Sequence, residues 1–414
     1  MGILPGGPRL LAGPPPRGGP ESYGDHLARL GQTPAIGPED MVTELELSGL
    51  LGRGGGGFPV GRKWRALTEG PRGPAVVVVN GAEGEPRSSK DRVLMTYRPH
   101  LVLDGAVLAA NAVGADSIVV YVGEEHGRAR AAMAAAIEAR SSTVLVSIRT
   151  VAAPIGYVSG EATAAVHFIN SGDARPTATP PRPSEAGVRG RPTLVQNVES
   201  LAYAALIARF GAGWFRSVGR RETPGTALVT VSGAVSAPGV REIELGTTIG
   251  ELVEAAGGRR DSVGAVLVGG YFGAWISGDE GWAMGLDPQA MRARGLTFGC
   301  GMVSVHPAGA CGVAATAEIM AFMAESSAGQ CGPCLHGLRS IADTAARLAA
   351  GRSDAAAIDD LERWTSLVTG RGACRQPDGA AAFMASAVRV FGSEFERHAR
   401  LGRCSADEAS VDVS

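Results

Sequence analysis

A glycine-rich stretch of the chain, LGRGGGGFPVGRKW at residues 51–64, has the residue types that bind phosphate groups. It contains six glycines and three cations, Arg53, Arg62 and Lys63, within fourteen residues. Consecutive glycines cost backbone entropy, so they suit a place where bare main-chain N–H groups approach an anion. The cations supply the charge that a phosphate attracts. The stretch predicts a site for a phosphate-bearing cofactor, with an idle flexible loop as the alternative.

A second polar segment, GAEGEPRSSKDR at residues 81–92, follows the apolar run Ala75–Val79 and Asn80. One alanine and four valines in a row are typical of a parallel strand that is buried on both faces. Its charged side chains include Glu83, Glu85, Lys90 and Asp91. Because ligands of open α/β sheets bind beyond the carboxyl ends of strands, this loop is the second predicted binding element.

Three cysteines have the spacing of a cluster ligand set. Cys331 and Cys334 form a CxxC pair, and Cys374 follows after a predicted helical hairpin. Such thiolates can bind the irons of an iron–sulfur cluster. Zinc usually requires a second pair, a thioredoxin-like pair would follow a strand, and three buried cysteines without a role are the remaining alternative. The other cysteines are isolated and expected to be small core or surface residues: Cys300, Cys311 and Cys404.

Strands alternate with helical patterns in the first half of the chain, which predicts a Rossmann-like, doubly wound α/β fold. The expected strands are Ala75–Val79, Ser117–Val122 and Thr143–Arg149, and the expected helices are Leu101–Val113, Arg128–Arg140 and Val198–Phe210. From about residue 226, two alternating strands around an Ala-Pro-Gly turn resemble a β-grasp unit of the soluble-ligand-binding (SLBB) type. Four further helices predict an up-down bundle: Ala314–Met323, Gly337–Ala350, Ala355–Val368 and Ala380–His398.

These patterns divide the chain into five predicted parts. They are a Pro/Gly-rich tail at 1–20, either disordered or laid over another surface, an α/β domain at 21–225, a β-grasp domain at 226–312, a four-helix domain at 313–405 and a tail at 406–414.

Charge and hydropathy exclude several classes of protein. A net charge of −2 over 414 residues does not indicate a nucleic-acid or membrane-surface binder. No apolar stretch is long and uninterrupted enough to span a membrane, and the first residues lack a secretory signal. A CxxC pair suits a reducing compartment. We therefore expect a cytoplasmic protein, at most docked on the periphery of a membrane complex.

Several motifs, in order, resemble one family: the NADH-oxidising flavoprotein (51 kDa-type, or F) subunit of respiratory complex I and of NAD-reducing hydrogenases. The two segments above and GYVSGEATAAVHFINS at 156–171 are similar to its FMN-binding segments, and GRPTLVQNVESL at 190–201 to its segment beside the flavin. QCGPCLHG at 330–337, with Cys374, resembles its [4Fe–4S]-binding bundle. The order of flavin, β-grasp and cluster domains also matches, and the resemblance covers residues 40–400.

The resemblance implies a site residue by residue. The FMN phosphate and ribityl groups would be held by Gly52, Arg53, Gly54, Gly55, Lys63 and Asn80. Around the flavin would lie Glu83, Tyr157, Gly160 and Glu161, and near its ring system Val195, Gln196, Asn197 and Ser200. Glu85 would be the catalytic residue at the nicotinamide–flavin contact, and Phe58 would lie against the dinucleotide. The cluster ligands would be Cys331, Cys334 and Cys374.

The sequence departs from the family pattern mainly where the family binds NADH. Ala82 replaces an aspartate and Ala162 a glutamate, while Thr179 and Arg182 replace a lysine and a phenylalanine, and Ala66 an aromatic residue. These departures affect the expected dinucleotide site more than the flavin site. Arg182 could instead meet the extra phosphate of NADPH.

The cluster motif lacks its first cysteine, because Ala328 occupies that position. Three thiolates could hold a [4Fe–4S] cluster whose fourth iron takes water, hydroxide or another side chain, or they could hold a three-iron cluster. His336 and Cys311 are the candidate substitutes.

The resemblance implies a flavo-iron–sulfur oxidoreductase subunit. It would move a hydride from NADH or NADPH to FMN and then single electrons through the cluster to a partner. The partner would be a ferredoxin, a quinone-reductase or hydrogenase subunit, or an E/G-type electron-transfer subunit of complex I. The alternatives are a flavoprotein that exchanges electrons with a ferredoxin without NADH, and a non-catalytic assembly subunit.

Overall fold

Four parallel strands form the first sheet in a computed structural model that describes residues 7–15, 18–70 and 73–404. The strands are β1 (Ala75–Gly81), β2 (Ala115–Gly123), β3 (Ser147–Ala153) and β4 (Thr193–Asn197), in the order β3-β2-β1-β4. The valines of β1 are at most 1% exposed, because helices cover both faces of the sheet. The predicted Rossmann-like α/β fold is confirmed.

Eight helices accompany this sheet in the described residues. They are α1 (Tyr23–Leu30), α2 (Pro38–Ser48), α3 (Val60–Thr68), α4 (Lys90–Tyr97), α5 (Pro99–Val113), α6 (Gly127–Glu138), α7 (Ala162–Ser171) and α8 (Val198–Phe215). Helix α3 begins within the glycine-rich segment, at Val60, and α4 begins within the polar segment after β1, at Lys90. The loops that carry the predicted site are therefore each fixed between two regular elements.

Two strand predictions in this domain need correction. The predicted strand Thr143–Arg149 is observed as Ser147–Ala153, because residues 140–144 form a turn after α6 and Leu145 is fully exposed. Strand β4 lies at the end of a Pro/Arg-rich segment and before a predicted helix, where the sequence analysis places no strand. Its pairing with β1 places Asn80 opposite Asn197.

A five-stranded sheet forms the middle of the chain. Its strands are β5 (Thr226–Gly233), β6 (Gly239–Glu244), β7 (Val263–Val268), β8 (Ala274–Ser277) and β9 (Met302–Pro307), in the order β6-β5-β9-β7-β8. The helices here are α9 (Ile249–Ala255), α10 (Gly278–Trp282) and α11 (Pro288–Ala293). Thr248 and Glu251 form a capping box that starts α9.

Four helices end the described chain: α12 (Gly312–Glu325), α13 (Arg339–Ala349), α14 (Ala356–Val368) and α15 (Gln376–Leu401). Met320, Leu338, Phe383 and Phe395 are fully buried between them. A π-helical segment, Pro333–Leu338, precedes α13 and carries Cys334. The predicted four-helix arrangement is thus observed, with α15 longer than expected at both ends.

The described part of the N-terminal tail lies on the chain itself. Leu10 is fully buried, and Glu242 on β6 accepts the N–H groups of Arg9, Leu10 and Leu11 at 3.0–3.1 Å. The tail predicted at 406–414 falls outside the described residues. Among those described, none of the helices has the length and apolar character needed to cross a membrane.

Candidate functional site

A cavity of about 620 Å³ opens at the carboxyl ends of β1 and β4. All the residues predicted above to contact FMN or NADH line it, with the exception of Ser200. Cys374 also lines it, from the loop just before α15. Segments far apart in the sequence thus converge on one cavity, at the edge of the sheet where such a fold binds its ligands.

The glycine-rich segment forms a loop over this cavity. The Gly52 N–H donates to the Phe58 carbonyl at 2.9 Å, which closes the loop. Gly55 has a φ of +103°, a conformation that disfavours any side chain. Among the described residues, the N–H groups of Gly54–Gly57 make no hydrogen bond of good geometry to a protein acceptor. The loop therefore offers main-chain donors to a ligand, as anion-binding loops do.

Arg53 supports this loop from behind. Its backbone N–H donates to the Ser200 hydroxyl at 2.9 Å, and its guanidinium donates to the Thr226 carbonyl at 3.0 Å. The guanidinium also lies 3.6 Å from the Glu199 carboxylate, and the side chain is only 2% exposed. Much of the Arg53 charge is therefore compensated within the protein. Ser200 contributes to the site by holding the backbone of the loop at Arg53.

Lys63 brings a positive charge to the cavity from the first turns of α3. Its ammonium group donates to the Val195 carbonyl of β4. Within the part of the chain that the structure describes, Lys63 forms no ion pair with a carboxylate. Burial lowers the pKa of Lys63 to about 8. An anion in the cavity would relieve that unfavourable burial of the charge.

A buried network of charges closes one side of the site. Lys90 is 2% exposed and contacts Asp91 at 2.7 Å and Glu199 at 2.9 Å. Burial lowers the pKa of Lys90, but these two carboxylates raise it overall. Asn197 donates to Asp91 at 2.7 Å, which ties the end of β4 to the start of α4. The sequence marks Lys90 only as a loop charge and does not predict its place at the centre of this network.

Glu83 holds the same loop in place. Its carboxylate accepts the Ser88 hydroxyl at 2.6 Å and the N–H groups of Asp91 and Arg92 at 3.3 and 3.2 Å. The carboxyl group thus lies at the N-terminus of α4, where the helix dipole favours its ionised form, while burial and the nearby Asp91 raise its pKa. Glu83 lines the cavity, but this structure uses its oxygens mainly to order the loop.

Glu85 is a buried carboxyl group that points at the wall formed by the middle domain. One of its oxygens accepts the Tyr271 N–H at 2.8 Å and the Tyr157 hydroxyl at 3.1 Å. The other oxygen has no hydrogen-bond partner among the described residues. Burial raises the pKa of Glu85 to about 7, against the lowering effect of the two hydrogen bonds. Glu85 can therefore change its charge near neutral pH.

The segment Tyr157–Gly160 is held against the end of β1. Asn80 donates from its amide to the Gly160 carbonyl at 2.8 Å. A Cβ at position 160 would lie 2.7 Å from the Ala82 carbonyl oxygen, so only glycine fits there. Glu161 caps α7 by accepting the Thr163 and Ala164 N–H groups at 2.8 and 3.0 Å.

The middle domain supplies a cavity wall that the sequence does not predict. The wall consists of Gly269, Phe272, Thr297, Gly299 and Cys300. A Cβ at position 270 would lie 2.6 Å from a Glu85 oxygen, so glycine there lets the two domains meet closely. The only available signal was a pair of glycines directly after a strand, which is also typical of ordinary turns.

The three predicted cluster cysteines approach one another beside the cavity. Cys334 is fully buried. Cys331 and Cys374 lie near enough to add to the effect of burial, which raises the pKa of the Cys334 thiol. Cys311 cannot complete this set as the sequence suggests, because its sulfur lies 3.3 Å from His398 in a different group of ligands. His336 is exposed.

The departures from the family pattern fall into two classes. Ala82 and Ala162 line the cavity, so the missing carboxylates leave room there. Ala66, Thr179 and Arg182 are exposed and do not belong to the cavity lining. Arg182 therefore gives no support to a phosphate contact in this cavity.

The residues of the cavity fit FMN. The volume of the cavity is in the range of cofactor sites, and the glycine-rich loop and Lys63 line it. Gln196, only 4% exposed, has an unpartnered side-chain oxygen at the cavity wall. Three neighbouring thiols likewise fit an iron–sulfur cluster that takes its fourth ligand from elsewhere.

Comparisons with known proteins agree with this geometry. A model of the Nuo51 FMN-binding domain matches residues 45–205, one of the SLBB domain matches 228–268, and one of the NADH-ubiquinone oxidoreductase-F iron–sulfur binding region matches 314–398. The first two of these confirm the predicted FMN-binding and SLBB regions, and the third confirms an iron–sulfur region in the helical bundle.

Relatives that align with about nine tenths of this chain agree with these matches to separate regions. The F 2 subunit of the NADH-quinone oxidoreductase of Rhizobium meliloti is 32% identical over 381 residues, which cover 89% of this chain and 90% of the relative. The F subunit of the Streptomyces coelicolor enzyme is 31% identical, covering 91% and 86%. The air-oxidized NAD+-reducing [NiFe]-hydrogenase has a chain with a TM-score of 0.80 and 30% identity over 91% of this chain, which spans 66% of that hydrogenase chain. This chain therefore belongs to the family of the F subunit of NADH-quinone oxidoreductases, with FMN-binding, SLBB and iron–sulfur regions.

Proposed function

We propose that this chain oxidises NADH at the cavity and passes the electrons singly to a cluster bound by Cys331, Cys334 and Cys374. One observation carries the proposal: Cys374 lines the same cavity as the glycine-rich loop. Electron transfer weakens steeply with distance, so a cluster ligand in the cavity wall gives electrons a short route out. The parent family makes a resident FMN and a cluster the expected cofactors.

The glycine-rich loop and Lys63 would hold the anionic end of FMN. The main-chain N–H groups of the glycine-rich loop and an ammonium group without a carboxylate partner are donors that a phosphate accepts from. The Gln196 side chain and the strand-end asparagines, Asn80 and Asn197, would orient the remaining polar atoms of the cofactor. When bound, FMN accepts a hydride and releases its electrons one at a time.

The dinucleotide would enter beside Phe58 and Glu85. Phe58 is 57% exposed at the cavity, so its ring is free to stack on a base or a nicotinamide. Glu85 offers an unpartnered oxygen, and its ionised form would stabilise the positive ring of NAD+ as NADH is oxidised. Because Arg182 lies outside the cavity lining, NADH is the proposed donor rather than NADPH.

The proposed acceptor is a separate iron–sulfur protein, either ferredoxin-like or an E/G-type subunit of a larger complex. The cluster segment reaches the surface, since Leu335 is 41% exposed directly after the buried Cys334. A partner could therefore approach the cluster from outside. Docking of this kind would also account for a peripheral location on a membrane complex.

An anaerobic titration tests the proposed donor. The purified full chain, carrying its FMN, is mixed with NADH or with NADPH while the flavin absorbance is followed. The proposal requires bleaching by NADH at least about 10-fold faster than by NADPH, since a charged contact is worth about 1.5–3 kcal/mol. A flavin that neither dinucleotide bleaches would contradict the NADH-oxidising function.

The charge of Glu85 should control the pH dependence of NADH oxidation. With a pKa of about 7, Glu85 is neutral below that value and ionised above it. If the ionised form stabilises the product ring, the rate should rise by up to about 10-fold from about pH 6 to about pH 8. Steady-state rates with ferricyanide as acceptor measure this profile. In Glu85→Gln the inflection should be absent, and its persistence would show that another group controls the rate.

The missing fourth cysteine should make the cluster labile. Ala328→Cys should restore a complete ligand set, so the variant should resist mild oxidation that releases about one iron per cluster from the wild type. EPR of briefly oxidised samples distinguishes a three-iron cluster from an intact one. Ser327→Cys, one residue away, is the matched control and should behave as the wild type does. Equal lability of all three proteins would refute the assigned ligand position.

A further inference from the structure

A second group of metal-binding side chains lies in the helical domain, apart from the proposed cluster ligands. It consists of Cys311, His398 and Cys404, whose ligand atoms all lie within 4.8 Å of one another. Residues almost 100 positions apart in the sequence are brought together by the packing of α12 against α15. The sequence alone gives no reason to group them, since Cys311 and Cys404 stand isolated in it.

The histidine is oriented as a metal ligand. His398 Nδ1 lies 2.9 Å from the Leu348 carbonyl, which can only accept a hydrogen bond, so Nδ1 carries the proton. In the neutral ring, Nε2 then has a free lone pair, and it is directed at the Cys311 sulfur at 3.3 Å. A metal-binding histidine usually donates the N–H of its other ring nitrogen to a carboxylate or a backbone carbonyl, which fixes the tautomer.

The Cys311 sulfur is held in position at the start of α12. Cys311 is the N-cap residue of α12, and its sulfur accepts the Ala314 N–H at 3.3 Å. The dipole of this 14-residue helix favours a negative charge on Cys311, whereas burial raises the pKa of its thiol overall. His398 and Cys404 are only 3% and 4% exposed, so the group is largely shielded from solvent.

We propose that Cys311, His398 and Cys404 bind a Zn²⁺ ion. Two thiolates and an imidazole suit zinc, which binds sulfur at about 2.3 Å and nitrogen at about 2.0 Å in a tetrahedron. Ligand atoms of such a tetrahedron lie about 3.3–3.8 Å apart, so a small contraction of the observed group suffices. Water would fill the fourth position. The ion would join the end of α15 to the loop before α12 and the end of α13, independently of the electron-transfer site.

Metal analysis of matched variants tests the proposal. The full chain is expressed in zinc-supplemented medium without a metal-binding tag and purified anaerobically. The wild type should retain about one zinc per chain. Cys404→Ser and Cys311→Ser should each lower the zinc content at least about 10-fold. Replacing even a residue that only hydrogen-bonds to a metal ligand costs about that much metal affinity. Both variants should keep their FMN and iron, which shows that they fold. Cys334→Ser should do the reverse, losing iron and keeping zinc.

Cobalt gives a second readout that does not depend on activity. Co²⁺ replacing zinc should give the intense visible bands and the sulfur-to-metal charge-transfer band of a tetrahedral thiolate site, and these should vanish in Cys404→Ser. Three outcomes would overturn the proposal: a wild type without zinc, zinc that remains in both cysteine variants, or a Cys311–Cys404 disulfide seen by mass spectrometry of the non-reduced protein.

Discussion

Replacing Lys63 by methionine is expected to weaken FMN binding by about 10- to 100-fold. A hydrogen bond to a charged group contributes about 1.5–3 kcal/mol, and Lys63 is the cation at this cavity that no carboxylate pairs with among the described residues. Methionine keeps most of the side-chain volume and removes the charge. Fluorescence titration of the deflavinated protein with FMN measures the affinity directly.

Arg62→Met is the matched control for this experiment. Arg62 is the neighbouring cation on α3, but it is exposed and does not line the cavity. Its replacement should leave FMN affinity within about 2-fold, since exposed charges contribute at most about 1 kcal/mol and are screened by salt. Equal losses in the two variants would mean that general charge attraction, rather than the Lys63 contact, holds the cofactor.

Replacing Cys334 by serine should remove the iron–sulfur cluster and leave the flavin in place. Cys334 is fully buried, and Cys331 and Cys374 lie near enough to raise the pKa of its thiol. We expect iron content to fall at least about 10-fold, because only two of three protein thiolates remain. Iron analysis and the visible spectrum report the loss, while NADH should still bleach the flavin.

The result for Cys334 separates two roles of the helical domain. If the cluster only accepts electrons from the cavity, flavin reduction survives its loss and reduction of the external acceptor stops. If NADH no longer bleaches the flavin in a variant that retains FMN, the bundle instead shapes the NADH site, and the proposed order of electron flow is wrong.

Much of the fold was predictable because its signals are local. The valine run of β1, the cap at Glu161 and the Thr248–Glu251 capping box each depend on neighbours within a few residues. Strand β4 was missed for the opposite reason. Its five residues become a strand only by pairing with β1, and pairing between distant segments leaves no periodic pattern in so short a stretch.

The candidate site, like the fold, was predictable only where its signals are local. The residues on the loops after β1 and at the glycine-rich segment are identifiable from their types and order, and they converge on one cavity. The partners that restrain them could not be read from the sequence. Glu199 pairs with both Arg53 and Lys90, and Gly270 lets the Tyr271 N–H reach Glu85, across two domains. Such contacts depend on how the domains pack.

EPR of the anaerobic wild type reduced with NADH alone tests the central claim most directly. Electrons from NADH must reach the cluster held beside the cavity, so the signal of a reduced iron–sulfur cluster should appear with NADH and be absent in Cys334→Ser. A bleached flavin with a cluster signal that develops only after dithionite is added would contradict the account.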